Sequence, residues 1–144
     1  MRLSNLADYA IVLMSAAARH CGGAGLDPAT GKQRTRTSAA TLAEETGVPV
    51  ATAHKLVNIL VRAGLLKSVR GAGGGIKLAR PAAAISVADI IEAIEGPIAL
   101  TTCVDHGRHD CALEASCRVR PHWAIINASM RGALNAVSLS SLSR

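Results

Sequence analysis

Three cysteines in the carboxyl-terminal third of the chain have the residue type and spacing that most clearly suggest chemistry. Cys103, Cys111 and Cys117 fall within 15 residues, with seven and then five residues between them. Soft thiolates select iron–sulfur clusters, zinc or copper(I). Structural zinc sites usually pair ligands about two to four residues apart, and no two of these cysteines are that close. The wider spacing therefore favours an iron–sulfur cluster, while a zinc site and a thiol switch stay open as alternatives.

Three thiolates leave one ligand position for another residue type. The local candidates are Asp105, His106, His109, Asp110 and Glu114. The fourth cysteine, Cys21, stands at the end of a predicted helix beside a glycine-rich loop, and we interpret it as a bystander. The opening residues lack the pattern of a secretory signal, and no apolar stretch is long enough to span a membrane. We therefore expect a cytoplasmic protein without disulfides.

The distribution of charge indicates a nucleic-acid partner. The formal net charge is +6, and residues 46–88 contain no Asp or Glu. The same window holds the cations Lys55, Arg62, Lys67, Arg70, Lys77 and Arg80. Such a stretch can neutralise phosphates and release counterions, although a solvated basic face would have the same composition. Neither a phosphate loop nor a Ser–His–acid arrangement is evident, so we predict neither enzymatic activity nor a small-molecule substrate.

Composition predicts a mainly α fold. Apolar residues make up 49% of the chain, with one Trp, one Tyr and no Phe, so the core must consist of Ala, Val, Leu and Ile. Alanine is the strongest helix former. Apolar residues recur at helical spacing from about residue 5 to residue 20, and Gly22-Gly23 ends this first helix. Residues 22–36 contain several glycines and no apolar period, which predicts a loop.

Residues 38–80 have the pattern of a winged helix-turn-helix. Ser38 can cap a first helix, Gly47-Val48-Pro49 breaks it, and a second helix is predicted at 50–63. Two strands at 65–70 and 76–79, joined by a glycine-rich turn, then predict a small two-stranded β wing. An ordinary helical hairpin with a polar outer face is the simpler alternative, but it does not account for the basic hairpin that follows.

The remaining chain divides into a helix, an irregular segment and a longer helix. Ser86 and Asp89 resemble a capping box for a helix ending at Glu95, and residues 101–120 are irregular. A long helix at 121–137 carries the apolar residues Trp123, Ile126, Met130, Leu134 and Val137 on one face, which suits either dimerisation or packing on its own domain. We predict a DNA-binding domain at 1–98, a cluster-binding segment at 99–120, and a dimerisation helix with a tail at 121–144.

Several motifs together resemble one family of regulators. They are Met1-Arg2-Leu3-Ser4, the helix-turn residues 42–49, the glycine wing 68–75, the segment 95–101 that leads to Cys103, and Trp123, Ile126-Asn127 and 137–139. The chain resembles the iron–sulfur transcription regulators that include IscR and NsrR, and most closely those of the SUF system. The loop at 22–36 is longer than this family leads us to expect.

The resemblance implies a cluster site. In such proteins three cysteines bind the cluster, here matched by Cys103, Cys111 and Cys117, although the first gap is wider than in IscR-like members. IscR-like members use a His three residues after the last cysteine, where this chain has Arg120. NsrR-like members use an Asp of the first helix from the partner subunit, and Asp8 matches that position. We expect Asp8 as the fourth ligand and prefer a 2Fe–2S cluster, with 4Fe–4S still open.

The resemblance also implies a homodimer on an inverted-repeat DNA operator, acting as a repressor of SUF iron–sulfur assembly genes that senses cluster, redox or nitric oxide status. Arg70 would enter the minor groove, and Thr52, His54, Lys55 and Asn58 would face the major groove. His54 stands where IscR has an acid involved in sequence choice, so the operator sequence is not transferable. The expected DNA-binding residues are Arg2, Ser38, Thr52, His54, Lys55, Asn58, Arg62, Arg70, Gly73 and Lys77. The alternative is a zinc-stabilised or thiol-switch winged-helix regulator.

Overall fold

Six helices and one β-hairpin make up the protein in this computed structural model, which describes residues 1–21, 36–105, 108 and 110–144. The helices are α1 (Asn5–Cys21), α2 (Ala39–Thr46), α3 (Val50–Arg62), α4 (Val87–Glu95), α5 (Arg120–Asn135) and α6 (Leu139–Leu142), and the strands are β1 (Leu66–Val69) and β2 (Gly75–Leu78). Single 3₁₀ turns lie at Ala82–Ala84, Thr102–Val104 and Glu114–Ser116. The predicted mainly α fold with a two-stranded wing is confirmed. The predicted loop falls almost entirely on residues 22–35, outside the described part.

Side-chain caps begin two of the helices where the sequence predicts them. The Ser38 hydroxyl accepts a hydrogen bond from the Thr41 N–H at 3.1 Å and starts α2. At α4 the Asp89 N–H donates to the Ser86 hydroxyl at 3.1 Å, and the Ser86 N–H donates to the Asp89 carboxylate at 2.9 Å. This reciprocal pair is the predicted capping box. Local chemistry thus determines where both helices start.

Helix α1 is the centre of the packing. It contacts α2, α3, α4, α6 and β2. Its buried side chains are mostly alanines, namely Ala7, Ala10, Ala16, Ala17 and Ala18. Small side chains let neighbouring helices approach closely, so a core without phenylalanine still fills its volume. The largest fully buried side chains are Leu13, Met14, Leu42, Leu56, Leu60, Ile85, Ile90 and Leu139.

The wing is joined to the chain that precedes α2. Strands β1 and β2 pair antiparallel, with Leu66 opposite Leu78. Thr37 adds a bridge to the outer side of β2: its N–H donates to the Ile76 carbonyl at 2.9 Å, and the Ile76 N–H donates to the Thr37 carbonyl at 2.7 Å. The sequence did not predict this third segment. Through it, the wing and the helix-turn-helix share backbone hydrogen bonds as well as a chain connection.

The carboxyl-terminal tail returns to the winged-helix unit. The predicted helix at 121–137 ends at Asn135, and a short helix that the sequence did not predict follows. Leu139 is fully buried, and its N–H donates to the Ile85 carbonyl at 2.7 Å. The Val87 N–H donates to the Val137 carbonyl at 2.9 Å. Residues 137–142 therefore pack as part of the amino-terminal core.

We expect Gly75→Ala to destabilise the protein. A Cβ at this position would lie 2.5 Å from the Thr37 carbonyl oxygen, a backbone atom that cannot move without breaking the bridge. Forced overpacking of this kind costs about 1–3 kcal/mol. Denaturant unfolding monitored by circular dichroism measures the change in the free energy of unfolding.

Gly132→Ala is the matched control for this substitution. Gly132 lies inside α5, and an added Cβ would meet nothing within 4 Å among the described residues. Alanine is favoured over glycine in a helix by about 0.8–1 kcal/mol, so the control should be neutral or stabilising. Equal effects of the two substitutions would contradict the close approach of Thr37 to the wing.

Candidate nucleic-acid interface and cysteine segment

Helix α3 presents a polar face to solvent. Ala53, Leu56, Val57 and Leu60 are buried against the core, as the sequence predicted. The side chains of His54, Lys55, Asn58 and Arg62 are exposed, and Thr52 is partly exposed. A helix with donors, acceptors and cations on its outer face can read base edges in the major groove. The predicted major-groove residues are therefore all on the available side of α3.

Helix α2 is fixed to the end of α1 by ionic hydrogen bonds. The Glu45 carboxylate accepts from the Arg19 guanidinium at 2.6 Å and lies 2.6 Å from His20 Nε2. The pKa of the Glu45 carboxyl lies below its usual value mainly because of the hydrogen bond from Arg19, and the hydrogen bond with His20 contributes less. These contacts are partly exposed, so their main effect is on the orientation of α2 rather than on overall stability.

The wing tip presents one arginine and is braced by another. Arg70 is exposed at the end of β1, followed by a turn in which Gly71 and Gly73 have φ values of 95° and 75°. The Arg36 guanidinium donates a hydrogen bond to the Gly73 carbonyl. Arg36 is not among the residues that the sequence predicts at the interface, because its partner Gly73 lies 37 residues further along the chain. The brace fixes the tip beside the start of α2.

The other predicted DNA-contacting residues differ in where the structure places them. Lys77 on β2 is partly exposed, and Gly73 is exposed at the tip. The Ser38 hydroxyl already serves the α2 cap and lies 2.8 Å from the Thr41 hydroxyl. Arg2 is exposed and lines a groove with Glu95 and Met130, so it lies at the junction of α4 and α5.

The three clustered cysteines are free thiols on the irregular segment between α4 and α5. Each of Cys103, Cys111 and Cys117 is partly exposed. The Cys103 sulfur lies 3.1 Å from the Thr101 hydroxyl, and the Cys111 carbonyl accepts from the Glu114 N–H at 3.1 Å. Within the described residues, no three side chains of His, Cys, Asp or Glu converge closely enough to hold a single metal ion. The candidates His106 and His109 lie outside the described residues.

The donor set nevertheless fits a thiolate-ligated cluster. Three free, partly exposed thiols on one segment are ligands of the type that iron–sulfur clusters require. Of the fourth-ligand candidates, Asp8 is exposed in the first turn of α1, and Asp110 is exposed. Glu114 forms an ion pair with Arg120 at 2.8 Å. Arg120, which stands where IscR-like members have a histidine ligand, is thus paired with a carboxylate.

Cys21 differs from these three thiols in its surroundings. It ends α1 against β2, where burial raises the pKa of its thiol, while a hydrogen bond to the Leu78 backbone and the charge of Lys77 lower it to a smaller extent. A raised pKa reduces the thiolate fraction and hence reactivity. This agrees with the interpretation of Cys21 as a bystander.

Polar side chains of α5 hold the start of the cysteine segment against α4. The Asn127 amide oxygen accepts from the Leu100 N–H at 3.0 Å, and its nitrogen donates to the Ile98 carbonyl at 2.9 Å. Arg131 donates to both oxygens of Glu92, at 2.7 and 3.0 Å. The hydrogen bond from Arg131 holds the pKa of Glu92 below its usual value. Helix α5 thereby connects the segment before Cys103 to the winged-helix unit.

A helix-turn-helix, a braced basic wing and an attached thiol-bearing segment define a winged-helix DNA-binding transcription regulator. The model of the family described as "Rrf2: Iron-dependent Transcriptional regulator" matches residues 3–144. The chain belongs to this family, and the predicted family resemblance is confirmed. Since this is a family of transcriptional regulators, the prediction that the protein is not an enzyme is confirmed as well.

Individual relatives agree with this assignment. The chain is 30% identical over 142 residues to the HTH-type transcriptional regulator IscR of Vibrio atlanticus (strain LGP32), covering 99% of this chain and 75% of the relative. Its fold is similar to that of CymR (YrzC), the global cysteine regulator of B. subtilis, with a TM-score of 0.69, 27% identity and coverage of 99% and 96%. It is also similar to the oxidized form of Staphylococcus aureus CymR, with a TM-score of 0.67, 28% identity and coverage of 100% and 97%.

No helix in the described residues is both long and apolar enough to cross a membrane.

We expect Arg70→Ala to weaken binding to a specific DNA site. An arginine of a wing that enters a narrow minor groove contributes about 1–3 kcal/mol at a specific site. Fluorescence anisotropy with a labelled operator fragment, at one fixed salt concentration, measures the affinity. Arg144→Ala removes the same charge at the exposed end of the chain and should leave the affinity nearly unchanged. If Arg70→Ala binds as tightly as this control, the wing does not contact DNA as assigned.

Proposed function

We propose that this protein is a homodimeric repressor that binds an inverted-repeat operator and responds to the state of an iron–sulfur cluster on Cys103, Cys111 and Cys117. The observation that carries the proposal is the location of the three free thiols. They lie on one segment between α4, which packs against α1 and α3, and α5, which leaves apolar side chains exposed. A change in this segment can therefore reach both the DNA-binding unit and the dimer helix.

The cysteine thiolates would hold the cluster, and Asp8 of the partner subunit would complete the ligand set. A bound cluster would supply redox chemistry and lability toward oxidants or nitric oxide. The 2Fe–2S type is preferred, with 4Fe–4S still open. Among regulators with this architecture, we favour control of SUF iron–sulfur assembly genes, on the motif resemblance at residues 95–101 and 137–139.

The response requires two states that differ in DNA affinity. A ligand shifts an equilibrium only as far as its affinities for the two states differ. In the proposed mechanism, the thiolates hold residues 103–117 in one arrangement, and their release lets this segment move. Since α5 follows this segment, movement of the segment would change the distance between the two copies of α3, the proposed recognition helix, in the dimer. Equal operator affinity with and without the cluster would contradict sensing.

A thiol switch is the second candidate, and one observation favours it. All four cysteines are free thiols, and the structurally similar S. aureus CymR is described in an oxidized form. In this alternative, oxidation of a thiol among residues 103–117 would move the same segment without a metal. A zinc-stabilised regulator would use the same three thiolates. Both alternatives keep the same DNA-binding unit and differ in what happens at the thiols, which are oxidised in the first and bind zinc in the second.

The dimer interface is proposed on the face of α5 that carries Ile125 and Ile126. No residue of α5 is buried within the chain. The predicted apolar stripe is divided: Trp123, Met130 and Leu134 are partly buried, whereas Ile126 is 44% exposed and neighbouring Ile125 is 66% exposed. An apolar groove beside it, lined in part by Leu3, Ile91 and Leu100, extends this surface. Exposed apolar surface of this kind is typical of an interface between subunits.

Anaerobic purification tests the cluster directly. Protein reconstituted with iron and sulfide should show visible absorbance, and its iron and sulfide content should be stoichiometric with the protein. Cys103→Ala should abolish this absorbance because a thiolate ligand is lost, whereas Cys21→Ala should retain it. Asp8→Ala should alter the spectrum or shorten the lifetime of the cluster. A colourless protein that contains zinc would refute the cluster proposal, and an unaltered Asp8→Ala spectrum would refute Asp8 as the ligand.

Ile126→Asp should shift the protein from dimer to monomer. The substitution places a charge in the proposed interface, where burial without a partner is strongly unfavourable. Sedimentation velocity measures the change in mass. Asn135→Asp introduces the same charge at an exposed position elsewhere on α5 and should leave the dimer intact. A dimer in both variants would place the interface on another surface.

A further inference from the structure

The segment that leads into Cys103 is clamped by a single side chain. The Asn127 amide bonds a backbone acceptor and a backbone donor on the two sides of Ala99, at Ile98 and Leu100. Both contacts are partly buried. Burying a backbone group without a hydrogen-bond partner costs free energy. The Asn127 amide supplies a partner for both of these backbone groups. One α5 side chain therefore fixes the backbone three residues before the first clustered thiol.

The same stretch is also tied to α4. The Ile98 N–H donates to Glu92 at 3.4 Å, and the Glu92 carboxylate is held by the fork of Arg131, one helical turn after Asn127. Paired hydrogen bonds between guanidinium and carboxylate are directional as well as strong. Helix α4 in turn packs against α1 and against α3, the recognition helix. Residues 98–100 are thus bonded simultaneously to the dimer helix and to the DNA-binding unit.

We propose that Asn127 is a positioning residue through which the state of the cysteine segment is transmitted to α5 and α4. This inference rests on the proposed function, because it assumes that the segment differs between cluster-loaded and cluster-free protein. A displacement of Cys103 acts on Leu100 and, through the Asn127 amide, on α5. Arg131 and Glu92 then carry the displacement to α4. Without the amide, the segment moves independently of both helices and the two states bind DNA more similarly.

Two variants of Asn127 separate its contacts. Asn127→Ala removes both hydrogen bonds, whereas Asn127→Asp keeps an acceptor for the Leu100 N–H but places a carboxylate against the Ile98 carbonyl. Asn135→Ala, the same replacement at an exposed position of the same helix away from Ile125 and Ile126, is the control for the gain in helix propensity. Operator affinity is measured for each protein with and without its reconstituted cluster. Mass spectrometry of the cluster-free proteins measures the alkylation rate of Cys103, with the half-buried Cys21 as the internal reference.

We expect Asn127→Ala to reduce the ratio of the two operator affinities by about 2- to 30-fold and to accelerate alkylation of Cys103 relative to Cys21. Asn127→Asp, which loses the hydrogen bond to the Ile98 carbonyl, should change both quantities in the same direction, and it carries the test if Asn127→Ala does not fold. Asn135→Ala should change neither quantity. Where the unmodified protein binds the operator differently with and without the cluster, the proposal is overturned if either the affinity ratio or the alkylation rate is unchanged in the Asn127 variants.

Failure of the proposed function gives a different result. If the unmodified protein binds the operator equally with and without the cluster, sensing fails regardless of Asn127. The alkylation rate then decides the clamp on its own, because it is measured in the absence of cluster and DNA. Faster alkylation in Asn127→Ala still supports the positioning role, and an unchanged rate overturns it.

Discussion

The close packing around α1 is the constraint on which the rest of the structure depends. A chain with one Trp, one Tyr and no Phe cannot fill a core with large rings, so its helices must approach each other closely. The buried alanines of α1 make this approach possible. Helices α2, α3, α4 and α6 and strand β2 all contact α1. Relative orientation of the recognition helix, the wing and the tail is therefore determined by one helix that itself contributes little to the proposed DNA surface.

Charge is divided between the two functional parts of the molecule. In the described residues, the arginines that form ion pairs are Arg19, Arg80, Arg120 and Arg131, and their partners lie on or beside α2, α4 and α5. The cations of α3 and of the wing tip are exposed within the stretch that lacks acidic residues. Carboxylates thus orient helices, while the proposed DNA-binding surface keeps its positive charge for phosphates.

Two sets of hydrogen bonds connect the parts of the molecule: one joins the wing to the helix-turn-helix, and the other joins the start of the cysteine segment to α4 and α5. Thr37 and Arg36 join the wing to the start of α2, so a displacement of the helix-turn-helix carries the wing with it. On the opposite side, Asn127 and Arg131 join α5 to residues 98–100 and to α4. The buried Leu139 closes the arrangement by returning the chain end to Ile85. Helix α5 is thereby attached to the winged-helix unit through its middle, at Asn127 and Arg131, and through the chain that follows it.

The sequence by itself determined the elements whose signals are local. The Ser38 cap, the Ser86–Asp89 capping box, the turn at Gly47 and the glycine-rich wing turn each depend on residues a few positions apart, so their types and spacing suffice. The division of α3 into a buried and an exposed face follows from helical periodicity for the same reason. The three clustered cysteines could likewise be recognised as a candidate ligand set, though not the group that they would hold.

Only the tertiary structure decided which distant groups meet. The bridge from Thr37 to Ile76 and the contact from Asn127 to Leu100 join residues that no periodic pattern relates. Any hydrogen-bond donor or acceptor can pair with many groups, and the path of the chain through the fold determines which of these groups comes within reach. The apolar stripe of α5 could be predicted from the sequence. The position of α4 decides which of its side chains are partly buried and leaves Ile125 and Ile126 exposed. Helical periodicity identifies a face, and only packing determines what covers it.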